Sequence, residues 1–382
     1  MRFRSSFIIH RSSLQCLIAV GVVFASSSPY GVWACDVPVF RYALERWPAA
    51  PYRLVVLHRG PLAAEEQEIV EQLSDASIEE IPYSNFEVQL ADLAAQPDAL
   101  LERFWNQAGS PPLPCMILLY PPEERIGGAV WSGRLTMNNA SVLVDSPVRR
   151  EVAKRLLEGH SAVWVLLECG DSEKDTSAKA FLQSHLEQME QILELPAAVR
   201  GTLARETEPI VATTPPLQIR FSLLTLSRTD PAESALVAML LHSEGDLFQY
   251  SAFPLAFPVF GRGRALYALV GKGITGANIG EACRFLVGPC SCQAKALNPG
   301  TDLLIVADWD AGLAGSIVEA LESQLVLGLA PPPEAARTVP QVAAPAAKGA
   351  LLRNMLVALA LIVLVVAFLA VRIARQTAKH QL

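Results

Sequence analysis

Seventeen consecutive residues with no charge and no proline, Met355 to Val371 (MLVALALIVLVVAFLAV), constrain this chain more than any other feature. A helix on a globular core keeps a polar stripe for solvent, and this run has none. With Leu351 and Leu352 ahead of it and Arg353 able to snorkel, it reaches across a hydrocarbon core of about 30 Å. We therefore expect one transmembrane helix over residues 351–371. Arg372, Arg375 and Lys379 follow in the short tail, 372–382, which the positive-inside rule assigns to the cytoplasm.

The opposite end agrees. Residues 1–34 carry Arg2, Arg4 and Arg11 but no acid, then an apolar run from Leu14 to about Ala25, then Val32-Trp33-Ala34 before Cys35. A basic start, a short apolar core and a small residue at the cleavage point describe a secretory signal peptide. The run falls short of the about 20 residues that a span requires. Cleavage would leave the bulk of the chain extracytoplasmic. Lipidation of Cys35 competes with this reading, but Trp33 suits a lipidated cysteine poorly and the C-terminal helix already anchors the chain. Between body and anchor, residues 330–350 are rich in Pro and Ala. Such a stalk should be extended and semi-rigid, and its first 18 residues would reach roughly 55 Å.

The body, residues 35–329, is large enough for two domains. The net charge of −7 becomes −10 once the three leader arginines are lost. No basic patch interleaved with aromatics appears, which argues against nucleic acid. The expected partners are the membrane itself and a protein in the envelope.

Periodicity predicts strands over Tyr52–His58, Asn85–Leu90, Cys115–Tyr120 and Ala129–Thr136. Helices are predicted at Ala63–Leu73, Ala99–Gln107 and from Ser146-Pro147 to Glu158, after a short leading helix at Pro38–Trp47. The order β-α-β-α-β-β-α then recurs. Strands at Ala162–Glu168, Ile219–Leu226, Phe257–Gly261 and Ala265–Val270 alternate with helices at Thr176–Leu195, Pro231–Leu241 and Ala277–Val287. An extra strand, Asp302–Ala307, and a last helix, Gly315–Leu327, close the body. The fold class is α/β, with domains at 35–160 and 161–329.

That order, with Leu113-Pro114-Cys115 leading into a strand, a Pro/Gly turn, a hairpin strand and a terminal helix, resembles the thioredoxin fold. The likeness covers residues 52–160 well and 162–288 less well. It implies a cis peptide bond at Pro114, facing the active site, with Pro258 as its counterpart in the second half. It also implies a Cys-x-x-Cys at the start of the helix after the first strand. There the helix dipole lowers one thiol's pKa and the second thiol resolves the mixed disulfide. This chain departs from that pattern. The first half reads Arg59-Gly60-Pro61-Leu62, so domain 1 is expected to be redox-inactive. The second half offers Cys169-Gly170-Asp171-Ser172, similar to a monothiol site. Glu168, Asp171, Glu173 and Asp175 surround that thiol with negative charge, and the run SEKDTS is expected to delay the helix.

Six cysteines follow the leader: Cys35, Cys115, Cys169, Cys283, Cys290 and Cys292. The last three form one cluster, CRFLVGPCSC, at a helix end. It admits a structural bridge from Cys283 to Cys290 or Cys292, a strained and reducible Cys290–Cys292 pair, or a soft-metal site of Cys283, Cys290 and Cys292. A fourth ligand for a metal is missing nearby. Gly261-Arg-Gly263 lacks a third glycine, Gly271-Lys272 is no P-loop, and the body histidines form no metal-binding spacing, so no cofactor is expected. The expected function is non-enzymatic, a membrane-tethered surface for a protein partner. The alternative is a tethered thiol–disulfide or soft-metal-handling protein using Cys290 and Cys292, with Cys169 as a further catalytic candidate.

Overall fold

The computed structural model describes residues 35–95, 98–124, 126–197, 199–200, 215–290 and 294–326. The expected leader, stalk, transmembrane segment and basic tail, and Cys292, lie outside the described residues. Among those described, no helix is long and apolar enough to cross a membrane.

Runs of Val, Leu and aromatic residues become strands covered on both faces, and amphipathic segments between them become helices. In chain order the first half contains β1 (Cys35–Pro38), α1 (Val39–Arg46), β2 (Tyr52–His58), α2 (Ala64–Asp75), β3 (Phe86–Asp92), α3 (Ala99–Gln107), β4 (Cys115–Leu119), β5 (Ala129–Arg134), α4 (Met137–Val144) and α5 (Pro147–Leu157). The second half contains β6 (Ala162–Glu168), α6 (Ser172–Ile192), β7 (Phe221–Ser227), α7 (Ser234–His242), β8 (Leu255–Phe260), β9 (Arg264–Ala265), β10 (Leu269–Val270), α8 (Gly276–Val287), β11 (Pro289–Cys290), β12 (Thr301–Asp302) and α9 (Ile317–Val326).

The first sheet has the order β3-β2-β4-β5, with β2 parallel to β3 and the other pairs antiparallel. The second repeats that arrangement as β7-β6-β8-β9 and adds β12 at one edge, with β10 pairing back on β8. Alternation along each central strand divides the core into layers. Leu54 and Val56 of β2, and Val163, Val165 and Leu167 of β6, enter one cluster shared by both sheets and by α2, α4, α5 and α7. Val55 and Leu57 turn outward under α3. Trp164 and Leu166 turn to the other side, under α1, α6 and α8. The two halves therefore share one core and form a single compact unit.

The ends of the body cross over. Strand β1 and helix α1 precede the first half in sequence, yet they pack on the second. Strand β1 pairs with β11, and Val39, Phe40 and Ala43 join the cluster of Phe260, Cys283 and Leu286. The turn Gly261-Arg262-Gly263 is shaped by this docking. At Gly261 (φ +58°) a Cβ would lie 2.7 Å from the Ala43 Cβ, while Arg262 Nε donates to Leu44 O at 2.8 Å. Those glycines serve close packing.

In return, the segment after β12 runs onto the first half. The extra strand predicted over Asp302–Ala307 is a two-residue strand. Beyond it, the Asn85 side chain takes the place of a ladder. Its Nδ2 donates to Leu303 O (2.9 Å) and its Oδ1 accepts from Ile305 N (3.0 Å). Helix α4 had no predicted counterpart; it is eight residues long, and Thr136 Oγ1 accepts from Asn139 N at its start.

Candidate functional site

In both sheets the carboxyl ends of the two parallel strands meet the entry to the third strand. In the first half a cleft of about 350 Å³ lies here, lined by His58, Gly60, Glu66, Trp105, Leu113 and Pro114. The Leu113–Pro114 peptide bond is cis. Gly60 (φ +77°) makes the turn out of β2, and its N–H donates to Asp92 Oδ1 at 3.0 Å. Ala94 N donates to the same oxygen at 2.8 Å. These amides hold the Asp92 carboxyl below the usual carboxylate range. His58 Nδ1 lies 2.7 Å from Gly60 O. Glu66 Oε2 accepts from Ala63 N at 2.8 Å, and Trp105 Nε1 donates to Pro111 O at 2.9 Å. Most polar groups around the cleft are thus committed to the loops that build it. Among the described residues, no cysteine lines it. The nearby Cys115 thiol is buried and pushed up to about 11 by that burial.

The second half places Cys169-Gly170-Asp171-Ser172 at the matching position, and here the expected helix boundary needs correction. The helix is not delayed. It begins at Ser172 because Asp171 caps it, accepting from Glu173 N and Lys174 N at 3.2 Å each. The amides of Cys169 and Gly170 both donate to the Asp175 carboxylate, at 2.9 Å each. The Cys169 thiol is raised above its ordinary pKa, first by partial burial and then by Asp175. The amides of Cys169, Gly170, Glu173 and Lys174 at this helix start are spent on Asp171 and Asp175, and the lowering by the Asp171 amide does not outweigh burial and Asp175. Replacing Asp175 with Asn should lower that pKa and speed maleimide labelling of Cys169 several-fold at neutral pH, with Cys169→Ser as the blank. An unchanged rate would show that Asp175 does not restrain the thiol.

Pro258 does not correspond to Pro114. It sits inside β8, opposite Trp164, whereas Pro114 immediately precedes its strand. Register identifies the counterpart: Cys115 lies opposite Leu57, and Leu255 opposite Leu167, so Pro254 matches Pro114. Among the described residues, Leu113–Pro114 is the one cis bond. The Pro-Leu start of β8 resembles Pro-Cys at β4 only once register is known. Two further residues, absent from the sequence-based expectations, shape this end. Arg228 Nε donates to Glu168 O (3.0 Å) and its Nη2 to Phe253 O (3.0 Å). Lys174 Nζ donates to Ala252 O (3.2 Å) and stands 5.6 Å from the Phe253 ring centroid.

The C-terminal cysteines divide. Cys283 is a free, fully buried thiol of α8, pushed up to about 12 by burial. Cys290 is buried in β11, in register with Cys35 of β1. Among the described residues, no group of three or more His, Cys, Asp or Glu is arranged to hold a metal ion. A larger cavity of about 420 Å³ lies elsewhere, between α2 and α4, and contains no cysteine or histidine.

In comparisons with known proteins, the chain matches no family model, no curated protein and no solved structure.

Proposed function

We propose that this is a membrane-anchored, extracytoplasmic protein that presents two non-catalytic thioredoxin-like domains to a protein partner in the envelope. The strand order β3-β2-β4-β5, repeated as β7-β6-β8-β9 with the same strand directions, supports the thioredoxin-like reading. The anchor and export readings rest on the apolar run 355–371, the basic tail and the leader.

One observation carries the non-catalytic part. At the two positions where paired thiols would work, one loop has no sulfur, and the other has a single thiol whose pKa is raised by partial burial and then by Asp175. Exchange chemistry needs an attacking thiolate and a second thiol to resolve the mixed disulfide. Neither strand end supplies both.

Insulin reduction in the presence of dithiothreitol tests this. The full chain is expected to add nothing to the rate of dithiothreitol alone. A catalysed rate that disappears in Cys290→Ser would overturn the reading in favour of thiol chemistry at Cys290 and Cys292. A rate that disappears only in Cys169→Ser would assign the activity to the second strand end.

A further inference from the structure

The first strand of the body lies beside the C-terminal cysteine cluster, far from it in sequence. Strand β1 pairs antiparallel with β11, and the Cα partners are Cys35 and Cys290. Directly opposed residues in an antiparallel pair have Cα atoms about 4.5–5.5 Å apart, within the roughly 4.4–6.8 Å that a disulfide spans. The backbone on both sides is fixed by other contacts. Val39 N donates to Gly288 O at 3.0 Å, and Val37, Phe40 and Leu286 are buried in one cluster.

We propose that Cys35 and Cys290 form a disulfide that ties the start of the body to the second half. The bond joins the two sulfur atoms and releases two protons and two electrons. A disulfide oxidant of the glutathione class accepts them and leaves as two thiols. Persistence of the bond in the cell rests on the export reading, because an oxidising compartment is required. Its geometry does not.

The rival pairings are less favoured on the same grounds. Cys283 lies within α8 and Cys290 in β11, and no strand register sets the two opposite each other. A Cys290–Cys292 bridge would have to close across a single intervening residue, which strains it. Pairing with Cys35 uses the Cα register already present, which is irregular between Cys35 and Pro38. It also excludes lipidation of Cys35, since the sulfur would be consumed. Finally, the link would close a loop around the whole first sheet, and closing long loops restricts the unfolded chain most.

The test uses purified full-length protein, reduced, then equilibrated with a reduced/oxidised glutathione couple, alkylated and digested without reductant. Mass spectrometry is expected to find one peptide pair joining Cys35 to Cys290, two hydrogens lighter than the separate peptides. Adding reductant should lower the melting temperature by about 5–10 °C, and Cys35→Ser should show the same loss without reductant. A Cys290–Cys292 or Cys290–Cys283 link, a Cys35 recovered alkylated, or a Cys35 carrying a lipid would each overturn the proposal. Trapping thiols in intact cells is a separate measurement. A link that forms in vitro but is absent there would count against export and leave the pairing standing.

Discussion

Asp302→Ala is expected to destabilise the protein by about 3–5 kcal/mol, because it leaves a buried guanidinium short of its main counter-charge. Asp302 is 2 % exposed and Arg264 is 6 % exposed, and Arg264 Nη1 donates to Asp302 Oδ1 at 2.8 Å. The same carboxylate accepts from Ala50 N at 2.7 Å and pairs with Lys295. Glu124 completes the cluster, 3.1 Å from Arg264, and burial raises its carboxyl above the ordinary pKa. The residues come from the loop after β4, from β9, from the turn at Lys295 and from β12, so the cluster joins the two halves. Asp302→Asn keeps the bond to Ala50 and should cost less than Ala. Urea unfolding of the full chain, followed by circular dichroism, measures both. A loss under 1 kcal/mol for Ala would show that the cluster contributes little.

Arg149→Met should cost a similar amount, about 3–5 kcal/mol, by a different mechanism. Arg149 is 1 % exposed, and among the described residues its side chain donates no hydrogen bond to a carboxylate. Its guanidinium donates to the carbonyls of Val142 (2.5 Å), Leu143 (2.8 Å) and Leu304 (3.1 Å) and to Ser146 Oγ (3.0 Å). Two of those carbonyls belong to the last turn of α4, where backbone acceptors lack partners and the helix dipole is negative. Burial draws the guanidinium pKa down to about 10, leaving it charged at neutral pH. Methionine fills part of the volume but leaves the buried carbonyls of Leu143 and Leu304 and the partly buried one of Val142 without this donor, at about 1–3 kcal/mol for each buried group before relaxation. Arg149→Lys supplies charge without the planar fork and should recover only part of the loss. Equal stability of the Met variant and wild type would refute this account.

Much of the architecture was legible in the chain. Tyr52–His58 and Ala162–Glu168 are the central strands of two sheets because uninterrupted apolar runs suit strands covered on both faces. Helix α5 starts at Pro147 with Ser146 as its cap, the arrangement its sequence predicted. Other expectations failed for identifiable reasons. The acidic run after Cys169 read as a delay, but Asp171 is a cap and Asp175 binds the loop amides, so the acids start the helix. Residues 302–307 read as a strand because they are apolar. Leu303 O and Ile305 N bond to the Asn85 side chain and Leu303 N to Gly263 O, partners that no local pattern reveals. The thioredoxin resemblance implied Pro258 as the counterpart of Pro114, and only pairing with β6 shows that Pro254 holds the matching place.

Local chemistry determined the apolar spans at the ends, the strand and helix periods, and the absence of a Cys-x-x-Cys. These depend on neighbours in sequence, so the chain alone states them. Long-range partnership required the tertiary structure: β1 against β11, α1 on the second half, Asn85 with Leu303, and Cys35 opposite Cys290. The free energy of such contacts comes from burial and hydrogen bonds between segments more than 200 residues apart, which no periodicity in either segment can encode.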